Sequence, residues 1–193
     1  MFTKTQKTIV AIVILIISGC AIFSPRFDQR QDVRAFITSM VKKHNFTYNE
    51  LQALFKQVKI QKRTLSNVQH PYEEKPWYAY QERLITKQRI TDGVKYWHQH
   101  ARALQYAQNN YGVPADIIVA IIGIESNYGQ INFKYRTLDS LASLSFCYPK
   151  RAQFFKQELE EYLLFTRQLN LDPLSVYGSY AGAMGPAQFM PST

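Results

Sequence analysis

The sequence of 193 residues is poor in cysteine, in long apolar runs and in acidic residues. Its two cysteines, Cys20 and Cys147, are too few for a disulfide framework, so the fold must rest on packing. The longest unbroken apolar run, Ile9 to Ile17, is too short to span a bilayer as a stable helix. Sustained alternation of apolar and polar residues is also missing, and this absence favours a mainly α fold.

The shortage of acidic residues leaves a formal charge of +9, from 23 Lys and Arg against 14 Asp and Glu. This charge favours anionic partners, but it does not distinguish among nucleic acid, acidic lipid and an acidic polymer. Aromatic residues, in contrast, make up 14% of the chain. Their abundance suits flat ligands such as sugar rings or bases.

The N-terminus has the pattern of a secretory signal. Lys4 and Lys7 precede the apolar run, which ends in "IISGC" and resembles the bacterial lipobox. This pattern predicts that residues 1–19 are a lipoprotein signal peptide and that Cys20 is acylated. The alternative is a plain signal peptide with an incidental cysteine. Because export removes the chain from the cytoplasm, we expect no nucleic-acid partner.

The segment after the signal is short and polar, so residues 20–31 are predicted to be a lipid-anchored tether. Ala21 follows the modified cysteine and is not an aspartate. This resembles lipoproteins sorted to the outer membrane of Gram-negative bacteria, facing the periplasm. Cys147 lacks a neighbouring base and is expected to be a small packed residue rather than a nucleophile.

Helical spacing of apolar residues predicts one mainly α domain over residues 32–193. Helices are predicted to begin at Asp32, Thr47, about Thr91 and Pro114. At Thr47 the signal is a capping box with Glu50. Two further amphipathic helices are predicted over residues 137–146 and 150–170. Weak periodicity and two prolines predict a loop or extended arm over residues 59–85. Glycines and prolines predict a tight-turned loop over residues 177–193.

The stretch "IIGIESNYG" places a carboxylate, Glu125, directly after an apolar helix. A carboxyl beside an apolar wall is favoured in its neutral form and can act as a general acid. Asn127 and Tyr128 are then candidates to hold a substrate. Alternatively, Glu125 pairs with a core arginine such as Arg136 or Arg151.

Glycoside cleavage usually needs a second carboxylate at a defined separation. Asp139 is the nearest candidate along the chain. It also fits an ordinary acidic residue in the first turn of a helix.

Three stretches carry a family resemblance: "VPADIIVAIIGIESNYG", "RTLDSLASLSFCYPKRAQFF" and "GSYAGAMGPAQFMPST". In this order and spacing they resemble the B-type membrane-bound lytic murein transglycosylases, glycoside hydrolase family 103. The resemblance extends over nearly all of the chain from Asp32 to Thr193. It implies a lysozyme-like α-helical fold.

The resemblance also implies an activity on peptidoglycan without a cofactor. Such enzymes cleave the bond between N-acetylmuramic acid and N-acetylglucosamine and form a 1,6-anhydro sugar. A single glutamate serves as acid and then as base, which removes the need for a second carboxylate. Glu125 matches that glutamate.

Further site residues follow from matching motifs. Ser179 falls where the family has a hydroxyl near the glutamate, and Gln188 where an amide lines the glycan cleft; without the resemblance, both would be loop-capping groups. Tyr80 resembles a cleft tyrosine but could equally be a core residue. Lys150 and Arg151 stand where the family commonly has two arginines approaching the peptide and the acidic parts of the glycan; the alternative is a solvated first turn. A lysine lacks the planar fork that binds a carboxylate through two bonds.

The sequence departs from the family in length. Family members continue well past "QFMPS", so the C-terminal part of the domain is expected to be missing and no metal site is carried over. With the far wall absent, Glu125 should be less desolvated and the glycan less firmly gripped. The alternatives to an active, monomeric enzyme are an impaired peptidoglycan-binding lipoprotein and a truncated chain that scarcely folds.

Overall fold

Helices dominate the computed structural model, which describes residues 26–69 and 76–193. The predicted signal peptide and the predicted acylation site, Cys20, lie outside the described residues, as does the first half of the predicted tether. Within the described ranges, none of the helices combines the length and apolarity needed to cross a membrane. The chain divides into two units, one ending at Gln57 and the other beginning at Val58.

The first unit contains helices α1 (Gln31–His44) and α2 (Tyr48–Phe55) after a 3-10 turn at Phe27–Gln29. The predicted apolar stripe of α1 is buried at Val33, Phe36, Ile37 and Met40. The Thr47 hydroxyl accepts a hydrogen bond from the Glu50 amide (3.3 Å), as predicted for an N-cap. The Glu50 carboxylate accepts from the Thr47 hydroxyl (3.3 Å), whereas a full capping box would use the Thr47 amide.

The second unit begins in the region predicted to be a loop, and that prediction is wrong. Helices α3 (Lys62–Gln69) and α4 (Trp77–Leu84) form there, on either side of six residues that are not described. The amide of Gln61, just before α3, donates to the Ser143 hydroxyl (2.8 Å), and Thr64 is fully buried. Because a polar residue occupies the buried face, hydrophobic periodicity did not reveal α3.

Helices α5 (Lys87–Gln99), α6 (Ala101–Tyr111) and α7 (Ala115–Ser126) follow. The sequence predicted one helix from about Thr91, but α5 begins earlier, behind the Thr86 N-cap, and the chain breaks at His100. Gly112 ends α6 with a φ of 70°, as predicted. A small apolar cluster joins α6 to α7 through Leu104, Ala115 and Val119, with Tyr96, Ile118 and Tyr128 packed against it.

Helices α8 (Thr137–Cys147) and α9 (Ala152–Gln168) form the centre of the second unit, joined by a 3-10 turn at Pro149–Arg151. Every residue from Thr137 to Phe146 is buried, so α8 is not the amphipathic helix that the sequence predicted. Strand β1 (Tyr135–Arg136) pairs antiparallel with β2 (Tyr177–Gly178). The predicted mainly α class is confirmed, and so are the tight turns after Tyr177.

Candidate active site

The C-terminal end of α7 positions Glu125. The helix stops at Ser126 because Asn127, Tyr128 and Gly129 all take left-handed conformations, with φ of 48°, 61° and 79°. The buried Ser126 hydroxyl donates to the Ile122 carbonyl (3.2 Å) and accepts from the Gly129 amide (2.9 Å). The backbone therefore turns away sharply just after Glu125.

Glu125 is exposed, and it makes no hydrogen bond or ion pair with any residue in the described ranges. The arginines considered as partners are placed elsewhere. Arg136 binds the Asp139 carboxylate (2.6 Å), and the Arg151 guanidinium lies 4.3 Å from the centre of the Phe154 ring. The pairing alternative is therefore not what the structure shows. The carboxyl is exposed and is not set against the apolar wall that the sequence led us to expect.

Tyr128 is used for packing inside the second unit. Its hydroxyl donates to the Arg89 carbonyl (3.0 Å), and its ring stacks at a tilt on Tyr96, with 5.5 Å between centroids. A Cβ at Gly93 on α5 or Gly123 on α7 would lie 2.6 Å from the same hydroxyl. Burial raises the pKa of Tyr128 and keeps it a neutral donor. These contacts give Tyr128 a structural role, and its substrate-holding role stays a prediction.

Arg89, which the sequence analysis missed, fixes the turn from the α5 side. Its side chain donates to the Asn127 side-chain oxygen (3.4 Å) and to the Leu84 carbonyl (3.0 Å). The Asn127 amide group donates onward to the Gln130 side chain (3.3 Å). No motif marks Arg89, because its role depends on a contact between residues 38 positions apart.

A glycine-rich loop, residues 178–191, carries Ser179 and Gln188. The Ser179 hydroxyl oxygen accepts from the amides of Ala181 (3.2 Å) and Ala183 (3.1 Å). The Gln188 side chain donates to the Gly185 carbonyl (2.8 Å) from a backbone with φ of 52°. Both residues cap the loop. Within the described ranges the Ser179 proton has no acceptor, and Gln188 keeps its carbonyl and one N–H for other partners.

The turn after Glu125 and this loop lie side by side. A Cβ on Gly129 would be 3.9 Å from the Pro186 ring, and the Tyr135 and Tyr180 rings meet edge to face at 6.5 Å. The pairing of β1 with β2 ends at Gly178, immediately before Ser179. The structure therefore places Glu125, Ser179 and Gln188 on neighbouring segments, although the sequence separates Glu125 from the other two by more than 50 positions.

The other predicted site residues are placed less centrally. Lys150 and Arg151 are exposed in the turn between α8 and α9, and neither bonds a carboxylate of the described chain. The Arg151 guanidinium stacks on Phe154 and also lies 5.4 Å from the Phe155 ring. Tyr80 lies within α4, but its side chain is outside the described part.

Asp139 is not a second acid of the site. It is buried, and its carboxylate accepts from the Lys59 amide (2.9 Å) and from Arg136. These contacts join the start of α8 to the segment before α3. Of the candidates considered, Glu125 alone is an accessible carboxylate. The part of the chain that the structure describes has no cluster of three or more His, Cys, Asp or Glu side chains suited to a metal ion.

Comparison with known proteins identifies the class that this arrangement defines. The model of the transglycosylase SLT domain matches residues 28–193, and the chain belongs to this family of lytic transglycosylases. Among curated proteins, it is 42% identical over 177 residues to the membrane-bound lytic murein transglycosylase B of Escherichia coli K12. That alignment covers 86% of this chain and 49% of the relative.

Solved structures of lytic transglycosylases also resemble this chain. The catenated lytic transglycosylase SltB1 of Pseudomonas aeruginosa superposes with a TM-score of 0.82 at 44% identity, covering 86% of this chain and 55% of that one. The lytic transglycosylase Slt35 of E. coli, solved with bulgecin A, gives 0.80 at 43% identity, covering 85% and 53%. The predicted lysozyme-like helical fold is confirmed. The chain spans about half the length of these relatives.

Proposed function

We propose that this chain is a peptidoglycan lytic transglycosylase that cleaves the N-acetylmuramic acid to N-acetylglucosamine bond and leaves a 1,6-anhydro end. The observation that carries the proposal is the position of Glu125. This carboxyl has no partner among the described residues and lies in the last turn of helix α7, whose following turn adjoins the loop of Ser179 and Gln188, in a chain 42% identical to a lytic murein transglycosylase.

A single carboxyl is sufficient for this reaction. Protonated Glu125 gives its proton to the glycosidic oxygen as the bond from that oxygen to the muramyl C1 breaks. The muramyl O6 hydroxyl then forms a bond to C1 and returns its proton to Glu125, so no water is consumed. A hydrolase would instead need a second carboxylate or an activated water. The buried and fully engaged Asp139 cannot supply that carboxylate.

Ser179 and Gln188 suit the sugar that flanks the cleaved bond. The Ser179 proton is available to an N-acetyl carbonyl or to the Glu125 carboxylate, and two loop amides already orient the oxygen. Gln188 offers one donor and one acceptor to sugar hydroxyls. A relative at 28% identity, SltB3 of P. aeruginosa, was solved with a NAG-NAM-pentapeptide, which supports this substrate class.

The remaining contacts are assigned to the periphery of the glycan. Lys150 and Arg151 are exposed cations that suit the carboxylates of muramyl peptides. Asn127 lies beside Glu125, and Tyr80 is retained as a cleft residue on the family resemblance. Because Glu125 is exposed, bound glycan has to displace water from it, and this favours a slow enzyme.

The chain is further proposed to act as a monomer in the periplasm, anchored by lipid on Cys20 to the outer membrane. A lipid anchor would agree with the membrane-bound state of the E. coli relative. Labelled palmitate should be incorporated by the wild-type precursor and not by Cys20→Ala. Equal labelling of the two would overturn the anchor.

The activity is tested by incubating the chain with purified peptidoglycan and analysing the products by mass spectrometry. Anhydro-muropeptides are expected, and Glu125→Gln should reduce their rate by on the order of a thousandfold. Glu161→Gln, an exposed glutamate on α9, is the matched control and should keep the wild-type rate. Ordinary reducing ends would indicate a hydrolase. Sedimentation with cell walls without any product would indicate the impaired binding protein.

A further inference from the structure

Glu158 is a buried carboxylate that the proposed reaction does not use. It lies on the inner face of α9, and 4% of the residue is exposed. Among the residues described, it has no cationic partner. Its two carboxylate oxygens instead accept hydrogen bonds from one residue. The Ser192 amide donates at 3.0 Å and the Ser192 hydroxyl at 2.7 Å.

Burying a carboxylate is costly unless hydrogen bonds replace its lost water. Here both bonds go to a residue 34 positions away, immediately after the glycine-rich loop. Bonds to a charged acceptor are stronger than bonds between neutral groups. The arrangement therefore ties the downstream end of the loop to the central helix.

The upstream end of the same loop is held by different contacts. Strand β2 pairs with β1, and the backbone of Gly182 approaches the Leu141 side chain so closely that a Cβ there would collide with it. Within the loop, the Met184 amide donates to the Phe189 carbonyl (2.8 Å), and the Phe189 amide donates back (3.1 Å). Gln188 thus lies inside this internal bridge, four positions before Ser192, the residue that Glu158 anchors.

We propose that Glu158 is a positioning residue that sets the place of Gln188 for glycan binding. This inference rests on the function proposed above. Without the two bonds, the loop keeps its β2 anchor and loses its downstream one. Glu125 belongs to α7 and is unaffected. Loss of Glu158 should therefore weaken substrate binding more than it slows the chemical step.

The test uses three variants of the full chain. Glu158→Ala removes both bonds, and Ser192→Ala removes only the hydroxyl bond and leaves the core intact. Glu158→Gln can keep both, since its carbonyl accepts the Ser192 amide and its NH₂ donates to the Ser192 oxygen. The order of effects should be Glu158→Ala, then Ser192→Ala, then Glu158→Gln.

Two readouts separate positioning from general stability. Hydrogen exchange at the amides of Met184, Phe189 and Ser192 should quicken by on the order of tenfold in Glu158→Ala, while exchange within α8 stays unchanged. The KM for peptidoglycan should rise by about tenfold while kcat stays within about twofold of wild type. Glu158→Gln should restore both values.

Unchanged exchange in the loop, or an equal rise in exchange throughout α8, would overturn the proposal, and so would a fall in kcat with KM unchanged. If the wild-type chain forms no anhydro product, the proposed function fails. Hydrogen exchange and sedimentation with peptidoglycan in a Glu125→Gln background still decide the role of Glu158, because neither needs turnover. A loss of binding in Glu158→Ala that Glu158→Gln restores would then support it.

Discussion

Helices α7 and α8 are both rich in apolar residues, but only α8 is buried on every side. It packs against α9 and α3 and is continuous with β1. In α7, by contrast, Ile117, Ile121 and Ile124 are 48%, 48% and 47% exposed. The helix with the more apolar sequence is therefore the less buried one. Burial depends on the neighbours that a helix finds, and composition alone does not determine it.

The polar residues of α8 show how a serine-rich helix becomes a core element. The Ser143 hydroxyl donates to the Asp139 carbonyl (2.6 Å) and the Ser145 hydroxyl to the Leu141 carbonyl (2.7 Å). These two hydroxyls are satisfied within their own helix, so they can be buried at little cost, whereas the buried Thr137 and Ser140 hydroxyls have no partner among the described residues. Small side chains also let α9 and α3 approach closely. On α7 the exposed stripe leads directly to Glu125, and this explains why that carboxyl meets water.

The largest expected effect on stability separates the two helices. Leu141→Ala should lower the free energy of unfolding by about 2 to 5 kcal/mol, because the side chain is fully buried and supports Gly182. Ile121→Ala, on the exposed stripe of α7, should cost less than about 1 kcal/mol. Urea unfolding of both variants measures the difference. Equal losses would mean that the α7 stripe is covered in solution.

A second, smaller effect concerns the contact between α5 and α7. Gly123→Ala would place a methyl group 2.6 Å from the Tyr128 hydroxyl and should cost about 1 to 3 kcal/mol, although alanine favours helices. Gly112→Ala is the control, since open space surrounds that position and only its left-handed backbone is strained, at about 1 kcal/mol.

The cause of that loss can be checked by a double-mutant cycle on unfolding free energies. In a Tyr128→Ala background, Gly123→Ala should lose most of its penalty, because the atoms that it would meet are gone. A penalty of the same size in both backgrounds would show that the strain lies elsewhere.

Much of the fold was predictable, because apolar spacing marks helices wherever they bury an apolar face. The stripe of α1, the Thr47 N-cap and the stop at Gly112 were all predicted from local residues. Helix α3 was missed because its buried face contains Thr64, and its support comes from Ser143 across the unit. The burial of α8 on every side was not predicted, because its serines suggested a side facing solvent.

In the candidate site, too, one part was predictable from the sequence and another part was not. Residue types and motifs identified Glu125, Ser179 and Gln188, which the structure places on neighbouring segments. The contacts that hold these segments were not predictable, since Arg89 and Glu158 act over 38 and 34 positions of sequence. Residue types and family motifs therefore indicated the candidate groups, and only the tertiary structure showed which contacts hold their segments.

The smallest expected effect is that of Tyr128→Phe, which removes only the hydroxyl bond to the Arg89 carbonyl. The variant should lose about 0.5 to 1.5 kcal/mol of stability and keep the wild-type KM for peptidoglycan, because the hydroxyl is a packing group. A raised KM with unchanged stability would instead restore the substrate-holding role that the sequence suggested.

The pH dependence of that difference sharpens the test. Burial raises the pKa of Tyr128 above its ordinary value of 10.0, so the neutral hydroxyl is favoured in the folded chain. Because the folded-state pKa is raised, the contribution of the Tyr128 hydroxyl to stability is fully present at pH values below its unfolded-state pKa. That contribution is lost as pH rises through the folded-state pKa. The stability gap between wild type and Tyr128→Phe should therefore be constant from about pH 6 to 9, where the phenol is neutral in both states. Because the hydrogen bond needs the phenol proton, the difference in stability should not increase at acidic pH. A difference that changes in the neutral range would show that another group causes it.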